Sequence, residues 1–226
     1  MNKLGQIHQV IYNDGEWREY ANIIGALKAD DNVIFGLNQG MMHWFNVSNI
    51  ASDFAKDAGG NGRDIALADI AGLLCGIGLS CGTFNASKNG ATLARAFLRG
   101  RWGYSVLSDE DINVICHAIA IHTLGKDIQN IVDAAVCMGE ALDVNKERVL
   151  KAVTPCHRVL KDINKAAYKL DGNLLVLNYT VSKQFSTYDY IQHCPDAYAA
   201  PINVAKFMGR EFRLLLNGKE SVTLPI

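Results

Sequence analysis

The sequence has no surplus of charge: 22 Lys and Arg stand against 23 Asp and Glu, for a formal net charge of −1. Without a broad basic field, nothing pulls the chain toward nucleic acid or an anionic membrane. Met1 to Val10 lacks the basic segment and apolar run of a signal peptide. The most apolar stretch, Ile65 to Leu79, is interrupted by Asp69, Gly72, Gly76 and Gly78 and reads as too short and broken to span a bilayer. There are six cysteines but no C-x-x-C pair. Cys75, Cys81, Cys116, Cys137, Cys156 and Cys194 are scattered, several within apolar helical patterns, so they read as small core residues and not as a disulfide framework. Proline is scarce, with four in the chain, and there is no repeat, low-complexity stretch or obvious linker. These absences predict a cytoplasmic globular protein without a membrane segment.

What is present is enough apolar residue for a core. The chain has 226 residues, 49% hydrophobic and 20% charged, which suffices to fold without metal or disulfide support. Apolar spacing predicts helices over Glu16 to Lys28, Met41 to Ala58 and Asp64 to about Gly76, the last apolar almost all round and therefore central. Further helices are predicted over Lys88 to Leu98, from a Ser108/Asp111 cap to His122, from an Asp127 cap over Ile128 to Leu142, and over about Lys146 to Leu170 with Pro155 disturbing it. The pattern then changes. Leu174 to Val181 reads as a strand, Asp196 to Met208 as a helix, and Glu211 to Leu216 as a strand turning at Asn217-Gly218 into Ser221 to Leu224. The prediction is a mainly α protein, a helical bundle with a small C-terminal α+β appendage.

The run Leu73-Leu74-Cys75-Gly76-Ile77-Gly78-Leu79 resembles the Leu-Leu-His-Asp-Ile-Gly-Lys segment that ends a buried helix in the HD superfamily of metal-dependent phosphohydrolases. Other segments are similar in the same order. His43-Trp44-Phe45-Asn46-Val47 resembles the family's His-x-x-Arg-Val. Ala118-Ile119-Ala120-Ile121-His122 resembles its Ala-Ile pair followed by a histidine. Gly139-Glu140-Ala141-Leu142-Asp143 resembles its Ala-Asp-x-Leu-Asp. The helix and strand from Val204 to Asn217 are similar to the tail of one branch. The resemblance spans Asn32 to Asn217 and implies an N-terminal helical extension over 1–31, an HD-like helical domain over 32–155 and an α+β subdomain over 156–226.

The resemblance also implies what has been lost. In the family, two histidines and two aspartates hold a divalent ion that activates water and polarises a phosphoryl oxygen. Here the His-Asp pair reads Cys75-Gly76, and the lysine reads Leu79. The ancestral metal-site positions are His43, Cys75, Gly76, His122 and Glu140, with Trp44, Leu79, Asp143 and Arg95 as pocket candidates. In the first reading the site is degenerate, holds no cofactor, and the old cleft binds a nucleotide or another phosphate-containing ligand, or the surface binds a protein. In the second, His43, Cys75, His122 and Glu140 form a rewired site for zinc, manganese or iron in an active phosphohydrolase. In the third, the chain is a structural subunit or homo-oligomer, with Tyr188, Tyr190, Tyr198 and Phe207 as aromatic anchors.

Smaller constellations read plainly. Cys156-His157 and His193-Cys194 read as scatter, because neighbouring helical residues point about 100° apart. Gly59 to Gly62 lacks the preceding strand of a phosphate loop. Arg95, Arg99 and Arg101 cluster and read as a solvated face, with anion binding as the alternative. No Ser-His-Asp order carries a nucleophile elbow.

Overall fold

The structure is a computed structural model. It describes residues 4–27, 40–102, 106–144, 146–149, 154–182 and 186–223. The 31/32 boundary and the helix end at Lys28 lie outside these residues. The helices are α1 (Leu4–Asn13), α2 (Gly15–Leu27), α3 (Met41–Asp57), α4 (Gly62–Leu74), α5 (Ala86–Trp102), α6 (Asp109–Ile121), α7 (Ile131–Leu142), α8 (Pro155–Leu160), α9 (Thr187–His193) and α10 (Pro195–Phe207). Four strands follow the bundle: β1 (Ile163–Asp171), β2 (Leu174–Val181), β3 (Glu211–Leu216) and β4 (Lys219–Thr223). The predicted mainly α class with a small α+β appendage is the observed one.

The centre is α3 packed between α4 and α7. Small residues let these helices approach closely. A Cβ at Gly72 would lie 2.5 Å from the Ser48 Cα, and one at Gly139 would lie 2.6 Å from the Val47 carbonyl oxygen. Both obstacles are backbone, so neither position accepts a side chain without the helices moving apart. The 20-residue segment Gly62–Cys81 contains an 18-residue window with a mean hydropathy of 1.7, long and apolar enough for a membrane by composition. It is longer than the sequence reading allowed. Here it is the core helix: α4 contacts α3, α6 and α7, and its chain bends into a 3₁₀ turn over Ile77–Cys81.

Three sequence expectations are corrected. The helix predicted over 146–170 is instead a 3₁₀ turn at Lys146–Arg148, the short α8 and then β1. Thr154 caps α8 and Pro155 opens it, where its missing N–H costs nothing. β1 gains its partners from β2, an antiparallel neighbour that local periodicity cannot see. Asp127 is not the cap of α7; it has φ of 65°, and Asn130 accepts from Val132 and Asp133 N–H instead. Cys156 and Cys194 are bonded to each other as a disulfide joining α8 to the α9–α10 junction. Sequence spacing hides that pair, because it is 38 residues apart.

The sheet runs in the order β1-β2-β3-β4, with β2 and β3 parallel and the outer pairs antiparallel. The β3–β4 hairpin turns at Asn217 and Gly218, with φ of 51° and 74°, as a two-residue turn with both centres left-handed requires. The appendage docks on the bundle through α10 against α7. A Tyr168 hydroxyl donates to Asp57 at 2.7 Å beside the Phe54 ring. Tyr190 and Tyr198 are buried in this subdomain, so they cannot anchor a partner; Tyr188 and Phe207 are exposed.

Candidate functional site

Helix ends converge at one end of the bundle. His43 lies in the first turn of α3, Cys75 is the C-cap of α4, His122 the C-cap of α6, Glu140 lies in the last turn of α7 and Asp143 is its C-cap. The C-terminal ends of α4, α6 and α7 carry partial negative charge, which favours a cation or a proton there. A cavity of about 440 Å³ opens beside them, lined by His43, Cys75, Gly76, Leu79, His122 and Glu140. The far wall is the start of α5, where Ser87 and Lys88 line the same space. His43, Cys75, Gly76, His122 and Glu140 therefore share one hollow.

His43 is held from behind. Its Nδ1 lies 2.7 Å from the Asp143 carboxylate, which also accepts from the Asn46 amide at 3.0 Å. The Arg148 guanidinium donates to the Asp143 carbonyl and lies 3.5 Å from its carboxylate. A carboxylate on Nδ1 fixes the ring and leaves Nε2 as the working atom. That Nε2 lies 3.0 Å from Oε2 of Glu140, and Oε2 receives no aligned hydrogen bond among the described residues. Two lone pairs at this distance repel unless a proton or a cation sits between them. Burial pushes the Glu140 carboxyl up, but the His43 ring, with Arg148 and His122, outweighs it and holds the group well below the usual range.

His43, Cys75 and Glu140 each bring a ligand atom within 4.8 Å of the others. Burial, reinforced by the Glu140 charge, pushes the Cys75 thiol well up. It stays protonated until a cation displaces the proton. His122 lines the cavity but lies outside this cluster. Its Nδ1 donates to the Ile119 carbonyl at 2.7 Å, so Nε2 is left for the cavity. The set of His43, Cys75 and Glu140 fits a single borderline-soft ion with three protein donors. It does not supply the carboxylate that the HD resemblance would put at position 76.

That absence has a cause. A Cβ at Gly76 would lie 1.8 Å from Nε1 of Trp44. The indole is fully buried, packed edge-on against Trp17 with ring centroids 5.5 Å apart. Trp17 in turn donates to the Leu73 carbonyl at 2.9 Å. Trp44 is thus a core residue occupying the space of the missing side chain, and it is not among the residues that line the cavity.

Of the remaining candidates, Leu79 lines the cavity, Asp143 stands behind His43, and Arg95 lies elsewhere, on a separate cleft. Sequence reasoning missed Asn46 and Arg148 as partners of Asp143. It also missed Lys88, a cation that lines the same cavity as Leu79. A lysine opening the next helix was the only available signal.

One Ser, His and Asp do meet, at the α1–α3–α4 junction. Ser48 Oγ and His8 Nδ1 both bond the same Asp69 oxygen, and the hydroxyl is 3.4 Å from that same ring nitrogen. A relay needs serine on one ring nitrogen and the carboxylate on the other, so this is a clasp between helices. No family model and no curated protein matches this chain.

Proposed function

We propose that this chain is a degenerate relative of the HD phosphohydrolases. In this reading it binds a small phosphate-bearing ligand, such as a nucleotide, in the 440 Å³ cavity and does not hydrolyse it. The observation that carries the reading is the indole of Trp44 in the space of a side chain at position 76. No carboxylate can enter there without displacing a buried tryptophan. The cavity itself keeps features a phosphate ester needs: the Lys88 ammonium and the Ser87 hydroxyl. The test is calorimetric titration with adenosine monophosphate, beside a hydrolysis assay on bis(p-nitrophenyl) phosphate with added manganese, zinc or iron. Saturable binding, weakened about tenfold in Lys88→Gln, with no turnover, supports the reading. Turnover that disappears in His43→Ala overturns it.

The convergence of His43, Cys75 and Glu140 favours a second reading, an active enzyme with a rewired ion site. An ion held there would polarise a phosphoryl oxygen. The protein's own part is to orient His43 through Asp143 and to release the Cys75 proton. Elemental analysis of purified protein separates the two: stoichiometric zinc lost in both His43→Ala and Cys75→Ala supports this reading, and metal-free, inert protein refutes it. The cytoplasmic setting belongs to the proposal as well. A disulfide such as Cys156–Cys194 is uncommon in a reducing compartment, so fractionation of cells with the protein followed by immunoblot checks that setting, and recovery outside the cytosol refutes it.

A further inference from the structure

We propose that the cleft between α5 and α6 is a second ligand site, selective for the oxyanion group of a small molecule. It does not depend on the function proposed for the first cavity. The cleft encloses about 510 Å³. Its lining includes Arg95 and Thr92 from α5, Asn113 and His117 from α6, and Asn130 at the start of α7.

The charge arrangement singles out Arg95. Three arginines lie on α5, and two are neutralised: Arg99 by Asp109 at 2.9 Å, Arg101 by Asp14 and Glu16 at 3.1 Å each. Arg63, on α4, is likewise paired with Asp111. Arg95 instead donates to the neutral Asn113 amide oxygen at 2.7 Å. Among the described residues no carboxylate pairs with it. One of its amino groups is spent on Asn113, and the guanidinium brings a positive charge to the cleft lining. A guanidinium in that state matches a carboxylate or phosphate in shape and charge.

His117 completes the site. Its Nδ1 lies 3.0 Å from a buried oxygen of Asp133, which also accepts from Gln129 N–H and the Asn130 amide. Asp133 thus fixes the ring, with Nδ1 turned to its carboxylate and Nε2 on the opposite side. The floor between these groups is apolar, with Val114 and Ala120, and suits a short aliphatic chain. Phosphate and carboxylate share the recognised chemistry.

The experiment follows the His117 ring resonances of the full chain by NMR while sodium phosphate and sodium succinate are added separately. A saturable shift with either probe supports the site, and the probe that binds names the ligand class. Arg95→Gln is expected to weaken binding about tenfold or more, and His117→Gln comparably when binding is followed by calorimetry. His43→Ala should bind as the parent does, because it alters only the other cavity. The proposal is overturned if neither probe shifts the ring at millimolar concentration. It is equally overturned if Arg95→Gln, folded by its melting curve, binds with unchanged affinity.

Discussion

At the scale of single residues, the pair Gly76 and Trp44 decides what the site can be. The indole fills the volume beside position 76, and Nε1 would lie 1.8 Å from any Cβ placed there. Introducing a carboxylate by Gly76→Asp is therefore expected to destabilise the protein. Overpacking of this kind costs about 1–3 kcal/mol, read as a lower melting temperature. Gly76→Ala should show most of the loss, since the clash begins at Cβ. Combining Gly76→Asp with Trp44→Leu should recover part of it. If Gly76→Asp alone melts with the parent, the indole does not block the position.

At the scale of elements, caps and crossings link the helices. Asp111 closes a capping box with Ser108 at the start of α6 and receives both Arg63 donors from α4. Burial pushes its carboxyl up, but the Ser108 bonds and Arg63 outweigh burial and hold it below the usual value. A depressed folded pKa stabilises above the unfolded value, about 3.9, and the gain is lost as pH falls through the folded value. Asp111→Asn should cost about 1–2 kcal/mol near neutral pH, a modest figure because Arg63 is half exposed. Urea melts at neutral and acid pH check this: the gap to the parent should narrow as acid is added. A gap that is constant with pH would mean Asp111 acts only through packing.

At the scale of the whole molecule, the Cys156–Cys194 bond closes a loop across the appendage, with a sequence separation of 38. Such a loop adds about 4 kcal/mol by chain entropy. Reduction with a phosphine, or Cys194→Ser, should lower the melting temperature. Ellman titration of unfolded, unreduced protein should count only the free thiols Cys75, Cys81, Cys116 and Cys137. A count that includes Cys156 and Cys194 would show that the bond is open in solution.

The sequence alone determined the layout of the bundle. Apolar periodicity, the Ser108 cap and the Asn217-Gly218 turn act within a few residues, so they are legible locally. The resemblance to HD motifs also pointed to the positions that share the cavity, His43, Cys75, Gly76, His122 and Glu140. Only the tertiary structure decided how those positions work. Trp44 fills the space beside Gly76, Asp143 steadies His43 from a helix 100 residues on, and Arg95 bonds the neutral Asn113 while its neighbours find carboxylates. β1 and the disulfide likewise depended on distant partners. Each of these is a contact between residues far apart in the chain, set by packing that no local pattern encodes.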